Sequence, residues 1–347
     1  MKKFQEIIID KKFKVVISVG DESGIGPEVI LKALYSQEIP KDIDIIIVGS
    51  KKVLKNSYIL LKSLGIPNII DPDTFQICDL EIPFDANNQK LSYGNASFHY
   101  LKKAIEIVMK YPNSALVTGP ICKKSWSIAG HNFSGQTEVL ADSCGVKDVG
   151  MLFTAQSPIT GWRFNTLLAT THIALCEVPN HLTKSLIHSK LNLLSQFCSN
   201  YVQNPILKVA GLNPHAGEEG ILGSEEQDWI NEAITSWNKK NKRVKLLGPI
   251  SPDTCWVSSA KAWKDNRIEK HNGILALYHD QGLIPMKVIA LNYSVNTTLG
   301  LPFVRTSPDH GTGFDIAGKG VAQSRSMIEA IKTAIELSKN SRLLDTH

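Results

Sequence analysis

The sequence predicts an α/β protein built on a mostly parallel sheet with helices on its faces. Three observations carry this. Short β-branched apolar runs alternate with amphipathic helical stretches along the chain, and the runs stop at glycine or proline. The length of 347 residues exceeds one ordinary core, so two domains are expected. Lys14 to Val19 reads as a buried strand ending at Gly20, and Pro27 opens a helical stretch over Glu28 to Tyr35. Ile43 to Val48 is a second strand, closed by Gly49. Phe98, Leu101, Ala104, Ile105 and Val108 fall at helical spacing, and Pro112 ends that helix. Ser114 to Thr118 is a strand running into Gly119-Pro120. Leu182, Leu186, Leu193 and Phe197 share a helix face, followed by the strand Ile206 to Ala210. Ile274 to Tyr278 is another strand, and Met327 to Leu337 is a closing amphipathic helix. Residues 1–13 read as an extension outside the core or as an edge strand. No internal repeat and no low-complexity linker interrupts this order.

Composition narrows the function. The chain is 43% hydrophobic and 20% charged, which excludes disorder, collagen and coiled coil. No apolar run reaches the roughly 20 residues of a membrane helix. Glu6 and Asp10 interrupt the apolar N-terminal stretch, so a signal peptide is rejected and a cytoplasmic location is expected. The net charge of +5 comes mostly from scattered lysines without interleaved aromatics, so no nucleic acid and no membrane partner is expected; an anionic small substrate suits the balance. Six cysteines stand far apart with no Cys-x-x-Cys and read as small buried hydrophobes.

Several motifs sit where a strand gives way to a loop, the position at which open α/β sheets place ligands. Gly20-Asp21-Glu22-Ser23-Gly24-Ile25-Gly26-Pro27 is neither a dinucleotide fingerprint nor a P-loop, and a tight turn accounts for it equally well. Val117 to Lys123 and Phe133 to Glu138 pair small-residue loops with polar side chains, which lets backbone N–H groups approach an anion. His172, His215 and His279 each follow an apolar strand-like run. Three neutral imidazoles converging there would make a metal site with an open position; three unrelated, hydrogen-bonded histidines are the alternative. Arg305 is one of six arginines and stands between an apolar strand and a polar glycine-rich loop. Its planar fork suits a phosphate or carboxylate, with Lys287 as a second cation; a structural pair with Asp309 is the competing reading.

Five blocks occur in order and together are highly specific. They are Gly20-Asp21 with Gly24-Ile25-Gly26-Pro27-Glu28, Val117-Thr118-Gly119-Pro120, Gly211 to Glu218, Tyr278-His279-Asp280-Gln281-Gly282, and Thr298 to Phe303. The chain resembles the 4-hydroxythreonine-4-phosphate dehydrogenases of the pyridoxal 5′-phosphate pathway from about residue 14 to its last helix. The resemblance implies the two-domain fold of isocitrate and isopropylmalate dehydrogenases, with 14–135 and 300–347 in one discontinuous domain. Residues 136–299 would form a second domain carrying the metal ligands and the dimer interface. It implies NAD- or NADP-dependent oxidation and decarboxylation of 4-phosphooxy-L-threonine to 3-amino-2-oxopropyl phosphate, in a homodimer with its active site at the subunit interface. A divalent metal (zinc first, then cobalt or magnesium) maps onto His172, His215 and His279, the position of His279 being supplied by the partner subunit. Substrate contacts map onto Gln136, Thr137, Lys287, Asn296 and Arg305, and the cofactor loop onto Asp309, His310, Gly311 and Thr312. Lys287 and Asp253 are the candidate catalytic groups, with Asp280 beside them. Where the best-known members carry His-Thr this chain has Gln136-Thr137; an amide carries no proton charge, so a binding role is expected there. The competing functions are a sister dehydrogenase of erythronate or threonate 4-phosphate, a phosphate acyltransferase of related architecture, and a non-catalytic binder of phosphorylated ligands.

Overall fold

The computed structural model describes residues 12–268 and 270–340. The strands among them are β1 (Lys14–Ser18), β2 (Asp44–Gly49), β3 (Gln76–Asp79), β4 (Ser114–Thr118), β5 (Gly150–Gln156) and β6 (Arg163–Leu168). They continue with β7 (Ile206–Ala210), β8 (Lys245–Ile250), β9 (Gly273–Ala276), β10 (Val295–Leu299) and β11 (Val304–Pro308). The helices are α1 (Gly26–Tyr35), α2 (Lys51–Ser63), α3 (Gln89–Lys110), α4 (Lys123–Ile128), α5 (Gln136–Cys144) and α6 (Val178–His181). After these come α7 (Lys184–Ser199), α8 (Asn231–Lys240), α9 (Val257–Lys264), α10 (His279–Ala290) and α11 (Arg325–Asn340).

All described strands join one sheet in the order β3-β2-β1-β4-β11-β10-β5-β6-β9-β7-β8. Both flanks are parallel, as the sequence predicts, but the direction alternates through β11, β10, β5 and β6 in the middle. The cause is connection length. β10 reaches β11 through Gly300 to Phe303, with Gly300 at φ +89°, and β5 reaches β6 through a loop pinned by Ser157 Oγ. Connections this short join only antiparallel neighbours, because a parallel pair needs a long crossover.

One apolar core lies against β1, β2 and β4 and collects α1, α3 and α11. Val139 and Leu140 of α5 belong to it too, so residues 136–144 pack with the first half of the sheet. Two further cores cover the faces of β6, β7 and β9, one led by Leu191 and Trp237 and the other by Phe164 and Met286. Residues 1–11 of the expected extension lie outside the described residues; Phe13 packs on the first core, and its carbonyl accepts from Asp44 N–H at 2.9 Å. The cysteines divide: Cys198 and Cys255 are buried as expected, whereas Cys176 is exposed in the loop after β6.

Register decides what faces the site. Arg305 pairs with Thr298 and Thr298 with Met151, while Asn296 pairs with Ser307. Directly paired residues and those two positions along a strand share a face. Asn296, Thr298, Arg305, Ser307 and Met151 therefore point the same way, where the sheet reverses direction.

Candidate active site

A cleft of about 400 Å³ lies over that face. The end of β4 (Thr118, Gly119, Pro120), the start of α5 (Gln136, Thr137, Glu138) and the loop after β6 (Thr171, His172) wall it. Asn296, Arg305, Ser307, His310 and Gly311 complete the lining, with Lys123 and Lys190.

Arg305 is the centre of its electrostatics. It is 3% exposed, and it donates to Thr298 Oγ1 at 3.0 Å, Thr118 Oγ1 at 2.7 Å and Gln136 Oε1 at 3.2 Å. The pair with Asp309 does not form; that carboxylate meets Lys287 instead, at 3.2 Å. Burial pulls the guanidinium down to about 10, opposed by the charge of Glu138. A buried cation held only by hydroxyls and an amide lacks its counter-charge. Gln136 is fixed at both ends, because its Nε2 donates to Gly119 O at 3.0 Å while its Oε1 takes the arginine. The amide thus sets the plane of the guanidinium.

Three buried polar atoms of cleft residues have no hydrogen-bond partner: Asn296 Oδ1, Arg305 Nε and His310 Nε2. Buried polar atoms are rarely left unpaired unless something else is meant to meet them. His310 Nδ1 lies 3.0 Å from Gly311 O and so carries the ring proton, which leaves Nε2 as an acceptor in the neutral ring.

The three histidines do not meet in one chain. His172 and His279 face each other with ring centroids 5.4 Å apart. His279, the first residue of α10, has Nδ1 at 2.7 Å from Asp280 Oδ1. Burial, then Lys123 and His279, lower the pKa of His172, which favours the neutral ring a metal needs. His215 sits elsewhere, exposed, with Glu218 Oε2 at 3.8 Å and its charge acting on Asp253. Among the described residues no three His, Cys, Asp or Glu side chains are close enough to hold a metal ion. Two imidazoles of the expected triad face each other in one chain, and the third does not join them.

His215 stands in a left-handed turn in which His215, Ala216, Glu218 and Glu219 all have positive φ. Such a turn costs L-residues energy and persists only where its surroundings impose it. Glu226 imposes it: this carboxylate, 1% exposed, accepts from Leu212 N at 2.7 Å, Asn213 N at 2.8 Å and Asn213 Nδ2 at 2.8 Å.

Other expected residues fall outside the cleft lining. Asp253 is exposed and takes a short hydrogen bond from Ser251 Oγ, which with His215 lowers its pKa. Lys287 is exposed on α10 in its pair with Asp309. Asp21 is fully buried, with Oδ1 held by Ser23 N and Oγ, and burial raises its pKa. Its loop serves as a buttress, since Ile25 N–H donates to Thr312 O at 2.8 Å and a Cβ on Gly24 would stand 2.5 Å from that oxygen. Glu28 and Lys32 brace the chain beyond it through Ala322 N–H, Gly320 O and Ala322 O.

Lys123, Lys190 and Glu138 were not singled out as site residues from sequence. Lys123 opens α4 directly after the β4 loop, and Gly135 leaves room for it beside Glu138. Lys190 lies on α7, donates to Val149 O and has its pKa lowered by burial. Two lysines besides Arg305 face a single carboxylate in the lining, so the cleft suits an anion.

The family model described as "Pyridoxal phosphate biosynthetic protein PdxA" matches residues 41–334. A Synechococcus sp. (strain RCC307) protein named 4-hydroxythreonine-4-phosphate dehydrogenase is 49% identical over 93% of this chain and 99% of its own. A namesake from Synechocystis sp. (strain ATCC 27184 / PCC 6803 / Kazusa) is 46% identical over 93% and 95%. The crystal structure of 4-hydroxythreonine-4-phosphate dehydrogenase from Klebsiella pneumoniae superposes with a TM-score of 0.78 at 29% identity, covering 94% of this chain and 98% of that one.

Proposed function

The chain belongs to the PdxA family of pyridoxal phosphate biosynthetic proteins, and from that premise we propose that it oxidises 4-phosphooxy-L-threonine with NAD or NADP in the cytoplasm. In that reaction the secondary alcohol would be oxidised to a ketone, with the nicotinamide supplying the hydride acceptor and the medium taking the proton, and the resulting β-keto acid would release carbon dioxide to leave 3-amino-2-oxopropyl phosphate. The observation that carries this reading is Arg305, a buried guanidinium without a carboxylate partner, in a cleft that Lys123 and Lys190 also line. Only an anionic ligand completes it.

The roles follow from position. Arg305, held flat by Gln136, takes one anionic end of the substrate; Lys123 and Lys190 serve the other, and Asn296 and Thr137 offer hydrogen bonds between them. The Asp309-His310-Gly311-Thr312 loop suits the cofactor, because His310 Nε2 is unpaired and a side chain on Gly311 would meet only open space. Lys287, tied to Asp309, couples α10 to that loop and handles protons at its edge. When bound, a divalent ion such as zinc, cobalt or magnesium would supply Lewis acidity toward the substrate's oxygens, and the nicotinamide would accept the hydride. His172 and His279 would hold that ion from one chain.

The third ligand is then His215 of the partner subunit, rather than His279 as the resemblance implies, because His279 already lies with His172. Asp253 would orient that imidazole. A homodimer is supported by α10 and its C-cap residue, where Ile284, Val288 and Leu291 stay exposed as one stripe, Val288 at 80%.

Calorimetric titration with 4-phosphooxy-L-threonine tests the anion role. Arg305→Met should weaken binding about a hundredfold, the worth of charge-assisted hydrogen bonds to a buried guanidinium. Unaltered binding would remove the argument. Sister substrates bearing erythronate or threonate would bind through the same arginine, and comparing turnover among the three separates them.

A further inference from the structure

The charges of the cleft are not all of one sign. Among the described residues its lining holds Arg305, Lys123 and Lys190 against one carboxylate, that of Glu138. Glu138 stands in the first turn of α5, directly after Gln136 and Thr137. Its carboxylate forms no hydrogen bond and no ion pair among the described residues. Lys123 comes near without pairing: a Cβ on Gly135 would stand 3.3 Å from Glu138 Oε2 and 3.7 Å from Lys123 Nζ. Burial lowers the pKa of Arg305 and of His172, and in both the charge of Glu138 works against it. The carboxylate is therefore within electrostatic reach of both.

A free carboxylate opposes the binding of a pure anion, because it repels what Arg305 and the lysines attract. It has a use where the ligand also carries a positive charge. At neutral pH 4-phosphooxy-L-threonine carries a phosphate, a carboxylate and one ammonium. The cations of the lining meet its negative groups, and Glu138 is left for the ammonium. Erythronate and threonate 4-phosphates have a hydroxyl at that carbon and bring only the negative groups.

We propose that Glu138 binds the ammonium of the amino-acid substrate and selects it over the hydroxy acids. The proposal rests on the anion-binding reading of Arg305 given above. The ammonium gains a charge-assisted hydrogen bond, whereas a hydroxy acid has no positive charge to offset the repulsion. An acid in the first turn also suits the dipole of α5, but that role is indifferent to the ligand.

Calorimetric titration of wild type and Glu138→Gln with 4-phosphooxy-L-threonine and with erythronate 4-phosphate tests this. Glu138 is exposed and the amide matches its shape, so the fold is undisturbed, and the hydroxy acid serves as the control for that. Glu138→Gln should bind 4-phosphooxy-L-threonine about tenfold more weakly, the worth of one charge-assisted hydrogen bond. It should bind erythronate 4-phosphate as tightly as wild type does, or more tightly. In turnover the loss should fall on KM for the amino acid rather than on kcat. Equal weakening toward both ligands would mark a structural role and overturn the proposal, as would unchanged affinity for the amino acid. If both ligands are lost in Arg305→Met while Glu138→Gln treats them alike, the anion reading stands and the ammonium contact falls. If Arg305→Met loses neither, the anion reading fails and the proposal falls with it.

Discussion

At Arg305 the side chain proposed to serve the ligand is a liability to the fold. It is buried against Thr118, Thr298 and Gln136, and burial alone pulls its pKa down. Replacing a buried cation that lacks a counter-charge with an apolar side chain of similar shape relieves its desolvation. Arg305→Met should therefore leave the melting temperature unchanged or raise it while abolishing turnover; thermal denaturation beside an activity assay checks both. His271 behaves in the opposite sense. Its pKa is lowered from 6.5 to about 3 by burial, so the folded chain keeps it neutral while the unfolded chain protonates it. Its contribution is fully present above pH 6.5 and is lost as pH falls toward 3, at about 1.4 kcal/mol per pH unit for one proton. Denaturant unfolding at several pH values should show this slope, reduced in His271→Gln, whose amide can still meet the Ser259 hydroxyl that lies 2.8 Å from His271 Nε2. Among single residues, the sequence marks the site best where chemistry and position coincide, as at Arg305 and His172, whereas Asn296 is reached only through the family resemblance. It says little of Lys190, which enters the cleft because α7 folds over Val149, a tertiary event without a local signature.

At the scale of elements, the glycine-rich turn after β7 shows how a loop is forced into an unfavourable shape. The Glu226 carboxylate holds Leu212 and Asn213 while the next residues run left-handed. Glu226→Ala leaves two backbone N–H groups without their acceptor, at a cost of about 3 kcal/mol, while Asn213 Nδ2 keeps Glu225 Oε2 at 2.6 Å. Hydrogen exchange at the Leu212 and Asn213 amides should accelerate accordingly, and unchanged protection would show that the turn stands without Glu226. The strands differ in how openly they declare themselves. β1, β2, β4 and β9 are mostly apolar because they are buried on both faces, and each is legible, as is β7 despite its half-buried Lys208. β10 and β11 read Val-Asn-Thr-Thr-Leu and Val-Arg-Thr-Ser-Pro, since their cleft face carries Asn296, Arg305 and Ser307. Those polar residues erase the apolar signal, so the site hides the strands that build it.

For the whole molecule, one sheet spans both halves, and the cleft lies where its strand directions alternate. The parallel flanks follow from the alternation of apolar runs and helices. The antiparallel centre does not, because it depends on two short connections between strands that composition conceals. The relative placement of the three histidines is likewise invisible in the sequence. His172 and His279 are together and His215 is apart, so the proposed metal site is completed only by a second chain. Val288→Glu, placed on the exposed stripe of α10, should shift the protein to monomers in sedimentation and lower turnover more than tenfold, as an unpaired charge in an apolar interface does. A wild-type protein that sediments as a fully active monomer would contradict the shared site.

The central claim is that this cleft oxidises a phosphorylated hydroxy amino acid with a nicotinamide cofactor and a divalent metal. Its most direct test follows NADH or NADPH formation by absorbance with 4-phosphooxy-L-threonine, before and after metal removal and again after zinc is restored. The account predicts reduction that disappears with the metal and returns with it. Full activity after verified metal removal, or no reduction by folded, metal-loaded protein with either cofactor, would contradict it.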